Sequence, residues 1–268
     1  MKLSVLVPAY NEERTIEEII RRIAAVPLPV DIEILVHDDA STDRTPRILA
    51  ALQHEMPQLR VLRREQNGGK GVGIRTLIRE ASGDICIFQD ADDEYDPDDY
   101  RRLLDRYLHG GWPAVYGYRN LAGQPLIGRI GNHALTVLTD LLYGAFLRDM
   151  ETCYKLIDAR LLRSFHLEAN GYDIEPELTI NLRKRGYQIR QVPIHYAPRP
   201  TASKKLRRLT DGWLALRMIL RHRLPNAPAM FPVGVHSPWA TQLRTRDQVI
   251  PNTSAAPEIP DVVMDRAR

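Results

Sequence analysis

The amino-acid sequence predicts an α/β protein: a mostly parallel sheet flanked by helices on both faces. Two observations carry this. Short apolar runs alternate with stretches of helical periodicity through the first two-thirds of the chain, and polar motifs follow the apolar runs. Strand and helix in alternation build a parallel sheet covered by helices, and such sheets bind ligands beyond the carboxyl ends of their strands. The 268 residues, 44% hydrophobic and 26% charged, are enough to bury a sizeable core.

In order along the chain, residues 3–7 read as a buried strand ending at Pro8, after which Ile16, Ile19, Ile20 and Ile23 recur at helical spacing. Residues 32–36 form a second strand that runs into His37-Asp38-Asp39. Ser41-Thr42-Asp43 then offers N-cap chemistry to a helix through Ile48, Leu49 and Leu52. A third strand covers 59–62, and the glycine-rich segment 67–73 opens a helix through Leu77 and Ile78. Residues 85–88 are a fourth strand, and Pro97 starts a helix carrying Leu103, Leu104 and Leu108. The stretch 116–154 reads as a basic loop and a helix, 177–185 as a helix, and 189–195 as a strand. Residues 206–222 form a basic amphipathic helix with Leu209, Trp213, Leu216 and Leu220 on one stripe. This divides the chain into a domain over 1–223 and a proline-punctuated tail over 224–268, expected to be mostly disordered. No internal repeats are present.

Composition narrows the context. A net charge of +3 does not suggest a nucleic-acid-coated protein. Cys86 and Cys153 match no metal-ligand or disulfide spacing, which fits buried thiols and a reducing, cytoplasmic setting. The N-terminal apolar run is short and is followed by Asn11, Glu12 and Glu13 without a cleavage site. No stretch reaches the roughly 18 apolar residues of a membrane span, the best, 134–146, being broken by Asp140. Membrane contact, if made, is therefore expected to be peripheral, on the cytoplasmic face.

Four strand-end segments carry chemistry. Asp90-Ala91-Asp92-Asp93-Glu94 delivers carboxylates at i and i+2 from a buried strand. That arrangement suits Mg²⁺ or Mn²⁺, which take one or two carboxylates and complete their shell with water and phosphate oxygens; an acidic helix start is the plainer alternative. Asn67-Gly68-Gly69-Lys70-Gly71-Val72-Gly73 is neither a P-loop nor a dinucleotide fingerprint. Its glycines let backbone N–H groups approach an anion at a helix start, with Lys70 adding charge; a surface turn is the alternative. Pro8-Ala9-Tyr10-Asn11-Glu12-Glu13 offers a ring to stack a base and carboxylates to bond its edge or ribose, and Asp38-Asp39 is equally suited to capping.

Taken together, Pro8-Ala9-Tyr10-Asn11-Glu12-Glu13, His37-Asp38-Asp39-Ala40-Ser41-Thr42-Asp43, Asn67-Gly68-Gly69-Lys70-Gly71 and Asp90-Ala91-Asp92 resemble, in order, the motifs of family-2 glycosyltransferases with the GT-A (Rossmann-like) fold. Asp149-Met150-Glu151-Thr152-Cys153-Tyr154-Lys155 and Gly171-Tyr172-Asp173-Ile174-Glu175-Pro176-Glu177 resemble the branch that makes dolichyl- or polyprenyl-phosphate sugars. The resemblance covers roughly residues 3–222. It implies an inverting transfer of a hexose from a UDP- or GDP-sugar to a polyprenyl or dolichyl phosphate. It assigns Pro8, Ala9, Tyr10, Glu12 and Asp39 to the nucleoside, Asp90 and Ala91 to the donor, and Asp92 to the cation as principal ligand, with Asp90 and Glu94 beside it. Arg119 and Arg129 match the basic loop for the acceptor phosphate. Arg199, Lys204 and Lys205, with Ser203, resemble a mobile loop that closes on the donor diphosphate.

This chain departs from the family pattern at Ala40, where Gly is usual, and in the spacing from Arg199 to Lys204, so which lysine meets phosphate is left open. A phosphate acceptor is already anionic and needs no general base; a hydroxyl acceptor would need one, with Asp149 or Glu151 as candidates. The basic helix suits an anionic lipid surface or packs its stripe on the core. Rival readings are a nucleotidyltransferase, disfavoured because no glycine follows the first strand, transfer to a soluble hydroxyl acceptor, and a non-catalytic binder of sugar nucleotides. A homo-oligomer is left open.

Overall fold

The structure, a computed structural model, describes residues 1–199 and 208–223; Lys204, Lys205, Ser203 and the tail 224–268 lie outside the described residues. Seven strands form one sheet in the order β3-β2-β1-β4-β6-β5-β7. β1 (Lys2–Ala9), β2 (Asp31–Asp38), β3 (Leu59–Arg63) and β4 (Ile85–Phe88) are parallel and carry near-continuous apolar runs. A sheet buried on both faces requires such runs.

α1 (Ile16–Ala25) buries Ile16, Ile19, Ile20 and Ile23, the spacing read from the sequence. α2 (Thr45–Glu55) packs on α1. Its start is held by the Asp43 carboxylate, which accepts from the Thr45 N–H at 2.9 Å. α3 (Lys70–Glu80) lies on β1 and β2. Since β1-α1-β2-α2-β3 steps outward and α3 steps back across to β4, right-handed crossovers put α3 on the opposite face from α1 and α2. The order reverses between β1 and β4, the switch point where α/β sheets open a crevice.

Pro97 opens a short 3₁₀ turn leading into α4 (Tyr100–Gly110). The next region departs from expectation. Part of the basic loop is a strand, β5 (Ala114–Arg119), and the helix that follows is α5 (Leu126–Tyr143). β6 (Lys155–Asp158) inserts antiparallel between β4 and β5. Asp158 then caps α6 (Ala159–Arg163), accepting from the N–H groups of Arg160 and Leu161. α7 (Ile174–Lys184), β7 (Ile189–Ile194) and α8 (Arg208–Arg221) complete the fold, with α5, α7 and α8 packed on one another.

On α8, Trp213 and Leu220 of the expected stripe face outward and Leu216 is half-buried. Ala215, Met218 and Ile219 face the core, whereas Trp213 is 64% exposed and Leu220 is exposed too. α5 does the same: it buries Thr136, Thr139 and Tyr143, and exposes Leu126, Ile130, Ala134, Val137 and Leu141 along one helical stripe. Cys86 and Cys153 are free and buried. Among the described residues, no helix is long and apolar enough to cross a membrane.

Candidate active site

A cleft of about 870 Å³ opens over the carboxyl ends of β1, β2 and β4 and is bounded on its far side by α5, α7 and α8. Pro8, Ala9, Tyr10, Glu12, Asp39, Lys70, Asp90, Ala91, Asp92, Glu94, Arg119, Glu151 and Arg199 all line it. Four separate strand ends therefore converge, as their placement in the sequence requires.

The acidic loop is tied down at its root. Gln89 Oε1 accepts from the hydroxyls of both Tyr100 and Tyr154 at 2.6 Å, and the Thr15 hydroxyl donates to the Ala91 carbonyl at 2.9 Å. Beyond that root the three carboxylates part company. Asp90 pairs with Lys70 at 2.7 Å, and Lys70 also meets Glu175 at 3.0 Å, whose other oxygen is bonded by the fully buried Lys155. Burial alone would raise the Asp90 pKa, but the Lys70 ammonium outweighs it and the net shift is downward. Asp92 instead faces Arg199, with Nη2 2.5 Å from Oδ2, and Arg199 reaches Glu12 at 3.2 Å. The Asp92 pKa is pushed up to about 7, first by burial and then by the neighbouring Asp90 charge. Glu94 accepts from the Tyr196 hydroxyl at 2.9 Å and from the Arg199 backbone N–H at 2.8 Å.

Among the described residues no three acidic, histidine or cysteine side chains gather into a metal cage. The expected trio Asp90, Asp92 and Glu94 is thus distributed over three cationic or donor partners. A third-ligand role for Glu94 requires release of the Tyr196 and Arg199 bonds. The donor set still suits a hard cation, because a buried carboxylate that resists ionisation beside a second one is relieved by divalent charge.

The glycine-rich loop cradles an anion, but an internal one. The Asp39 carboxylate accepts from the N–H groups of Gly68 at 2.9 Å and Gly69 at 2.7 Å, and the Gly71 N–H is taken by the Asn170 carbonyl. The N–H groups that the sequence offers to an anion thus meet Asp39, and Lys70 is engaged by Asp90 and Glu175. The glycines are required by close approach: a Cβ at Gly71 would stand 2.3 Å from the Ala169 carbonyl oxygen. Ala40, where Gly is usual, does occupy the left-handed region, at φ 63°, and the neighbouring turn is closed by the Ser41 N–H donating to Asp38 Oδ1 at 3.0 Å.

On the far side, Arg119 makes a two-pronged contact with the buried Asp149, Nε to Oδ2 at 2.6 Å and Nη2 to Oδ1 at 2.9 Å, while Nη1 donates to the Tyr95 hydroxyl at 3.1 Å. Asp149 also accepts from Asn132 and does not line the cleft. Arg119 outweighs burial and holds its pKa low. Asp149 is thus paired with Arg119 in the wall behind the cleft. Glu151 does line the cleft, and its Oε1 is buried without a hydrogen-bond partner. Burial, then the Glu175 and Asp149 charges, push its pKa up to about 7 against the pull of Lys155 and Arg119. Arg129 is exposed on α5 and does not line the cleft, although Gly128 and Asn132 on the same helix do.

The sequence reading did not single out His37, Glu175, Lys155, Asn132 or Asp211 as site residues. His37, Glu175 and Lys155 stand inside quoted motifs, so a signal existed for them; a helical asparagine and an α8 aspartate gave none.

A GT-A sheet with nucleotide-site motifs at its switch point and a paired-carboxylate loop after β4 defines a glycosyltransferase, and the comparisons agree. Residues 4–125 match the model of glycosyl transferase family 2. It is similar to a dolichyl-phosphate hexose transferase of Haloferax volcanii, 29% identical over 205 residues that cover 75% of this chain and 86% of that one. It is also similar to a dolichol-phosphate mannosyltransferase of Pyrococcus furiosus, 28% identical over 225 residues, 77% of this chain but 60% of the longer relative. Among solved structures, the glucosyl-3-phosphoglycerate synthase of Mycobacterium tuberculosis in complex with Mn²⁺, UDP-glucose and phosphoglyceric acid superposes with a TM-score of 0.66 at 25% identity, over 90% of this chain and 91% of that one.

Proposed function

We propose that this glycosyltransferase moves a hexose from a nucleotide-diphosphate sugar to a polyprenyl or dolichyl phosphate held at a membrane surface. The observation that carries the acceptor is α5. Its inner face lines the cleft through Gly128, Asn132 and Leu135, and its outer face exposes the Leu126–Ile130–Ala134–Val137–Leu141 stripe. An exposed apolar stripe of this length is rare without a partner. It is joined by Phe146, 84% exposed, and by Trp213 and Leu220 of α8. Arg217, Arg221 and Arg223 stand around Trp213 and Leu220 in a shallow apolar groove. Apolar side chains with arginines around them match an anionic bilayer interface. The named relatives act on dolichyl phosphates.

In this reading Asp92, with Asp90, would hold Mg²⁺ or Mn²⁺, the ions named with UDP or UDP-glucose in the neighbour structures. Such a cation would supply charge neutralisation to the leaving nucleoside diphosphate. Arg199 leaves Asp92 and Glu12 for the diphosphate, and the charge of Lys204 and Lys205, next along the sequence, adds to it. Tyr10, Glu12 and Asp39 hold the nucleoside, and Lys70 keeps Asp90 ionised. Arg119, aligned by Asp149, presents the acceptor phosphate by charge-assisted hydrogen bonds, with Arg129 at the outer rim. Attack at the anomeric carbon from the side opposite the leaving group inverts its configuration, and no proton need be removed from the acceptor.

Glu151 favours a second reading, transfer to a soluble hydroxyl, as the acceptor in the Mycobacterium enzyme's complex is water-soluble. An unpartnered carboxyl with a pKa about 7 is poised as a general base. Incubation with a panel of UDP- and GDP-hexoses, Mn²⁺, and either a short polyprenyl phosphate or phosphoglyceric acid separates the two by product mass. A polyprenyl phosphohexose is expected; product with phosphoglyceric acid alone establishes the second reading.

A further inference from the structure

We propose that His37 is a specificity-determining residue for the donor, its imidazole reading the hydrogen-bonding edge of the nucleobase. The inference rests on the donor reading above. His37 is the penultimate residue of β2, in register with Pro8 on β1 and Leu62 on β3. It is 0% exposed, yet it forms part of the cleft wall together with Pro8, Asp39, Asn67 and Gly73. Neither ring nitrogen has a hydrogen-bond partner.

A buried polar side chain without partners is costly, and buried polar groups are satisfied nearly everywhere else in folded proteins. Where one persists in a cleft wall, a ligand that completes it is the economical explanation. Burial also lowers the imidazole's proton affinity, so the ring is neutral near pH 7 and offers one donor and one acceptor. Nucleobase edges present the same two kinds of group.

The place fits a base rather than the sugar. The carboxylates proposed to hold the cation and the arginine proposed for the diphosphate follow β4 and β7, so the far end of the donor extends towards β2 and β3. Tyr10 stands at that end with its ring 38% exposed. The opening helix turn also makes room for the ring: a Cβ at Gly73 would lie 2.9 Å from His37 Nδ1. An apolar residue at position 37 would continue the run Ile34-Leu35-Val36, all fully buried, and would satisfy the core equally well. The histidine is therefore not required by packing.

The test is calorimetric titration of the full chain with UDP, GDP, ADP and inorganic pyrophosphate in the presence of Mn²⁺, for wild type, His37→Leu and His37→Gln. Wild type is expected to prefer one base. His37→Leu should weaken that nucleotide at least tenfold, level the preference among bases, leave pyrophosphate affinity within twofold, and keep or raise Tm. His37→Gln, which retains a donor and an acceptor, should recover part of the preference and serves if the leucine variant does not fold. Unchanged preference in both variants, or a wild type that binds all bases equally, overturns the role of His37. A wild type that binds no nucleoside diphosphate overturns the donor reading instead.

Discussion

Arg199 Nη2 lies 2.5 Å from Asp92 Oδ2, so the guanidinium occupies the carboxylate that the family motif assigns to the cation. The same side chain meets Glu12, and its backbone N–H meets Glu94. One arginine thus ties Asp92, Glu12 and Glu94 together. Two consequences follow from its proximity. Arg199→Ala should let Mn²⁺ bind more tightly in the absence of nucleotide, because a competing positive charge is gone. It should also lower kcat/KM by roughly 10²-fold through loss of a diphosphate contact. Electron paramagnetic titration of Mn²⁺ and steady-state kinetics read the two effects separately.

Glu151 makes the acceptor class testable with one substitution. If the acceptor is a phosphate, Glu151→Gln should leave kcat/KM within a few-fold. If it is a hydroxyl, the loss should be roughly 10²- to 10⁴-fold, and the wild-type rate should rise with pH through about 7 as the carboxyl ionises.

The same carboxyl carries a stability signature. Its folded pKa, about 7, lies above the ordinary 4.5, so the native state holds the proton more tightly than the unfolded chain does. The contribution to stability is fully present below pH 4.5 and is lost as pH rises through 7. Glu151→Gln should therefore be more stable than wild type at pH 8, by roughly 2 kcal/mol or several degrees in Tm, and no more stable at pH 4. Thermal melts at the two pH values check the sign.

Asp149 anchors Arg119 through a buried, two-pronged ion pair. Asp149→Ala leaves that guanidinium unpaired and should cost about 3–5 kcal/mol in denaturant melts. Arg119→Lys keeps the charge but loses the fork, and should raise KM for a phosphate acceptor by tenfold or more while leaving the donor KM unchanged.

Ala40 tests the turn after β2. A left-handed residue with a Cβ is strained by about 1–2 kcal/mol, and glycine gives back part of that relief through unfolded-chain entropy. Ala40→Gly should stabilise by about 0.5–1 kcal/mol, and Ala40→Val should destabilise by more than that, both read from chemical denaturation.

How much of this was legible in the sequence depends on the local pattern. β1, β2 and β4 carry near-continuous apolar runs and end in polar motifs, so their residues announce both the strands and the cleft. β5 lies where the sequence suggests a basic loop, because Gly117 and Arg119 break its apolar run and its first four residues, all buried, show no alternation. β6, four residues long, is too short to show a period. The outward stripes of α5 and α8 have the same spacing as core stripes, and periodicity cannot say which side water is on. At the site, residue types were legible but their partners were not. Asp39 accepting from the glycine loop and Lys70 bridging Asp90 and Glu175 are contacts between residues 20 or more positions apart, set by tertiary packing alone.

The most direct measurement is calorimetric titration of the wild-type chain and Asp92→Ala with UDP- and GDP-hexoses, with Mn²⁺ and with chelator. The account predicts that one sugar nucleotide binds wild type at least tenfold more tightly with Mn²⁺ and that Asp92→Ala abolishes the difference. Affinity that ignores both the cation and the substitution would contradict it.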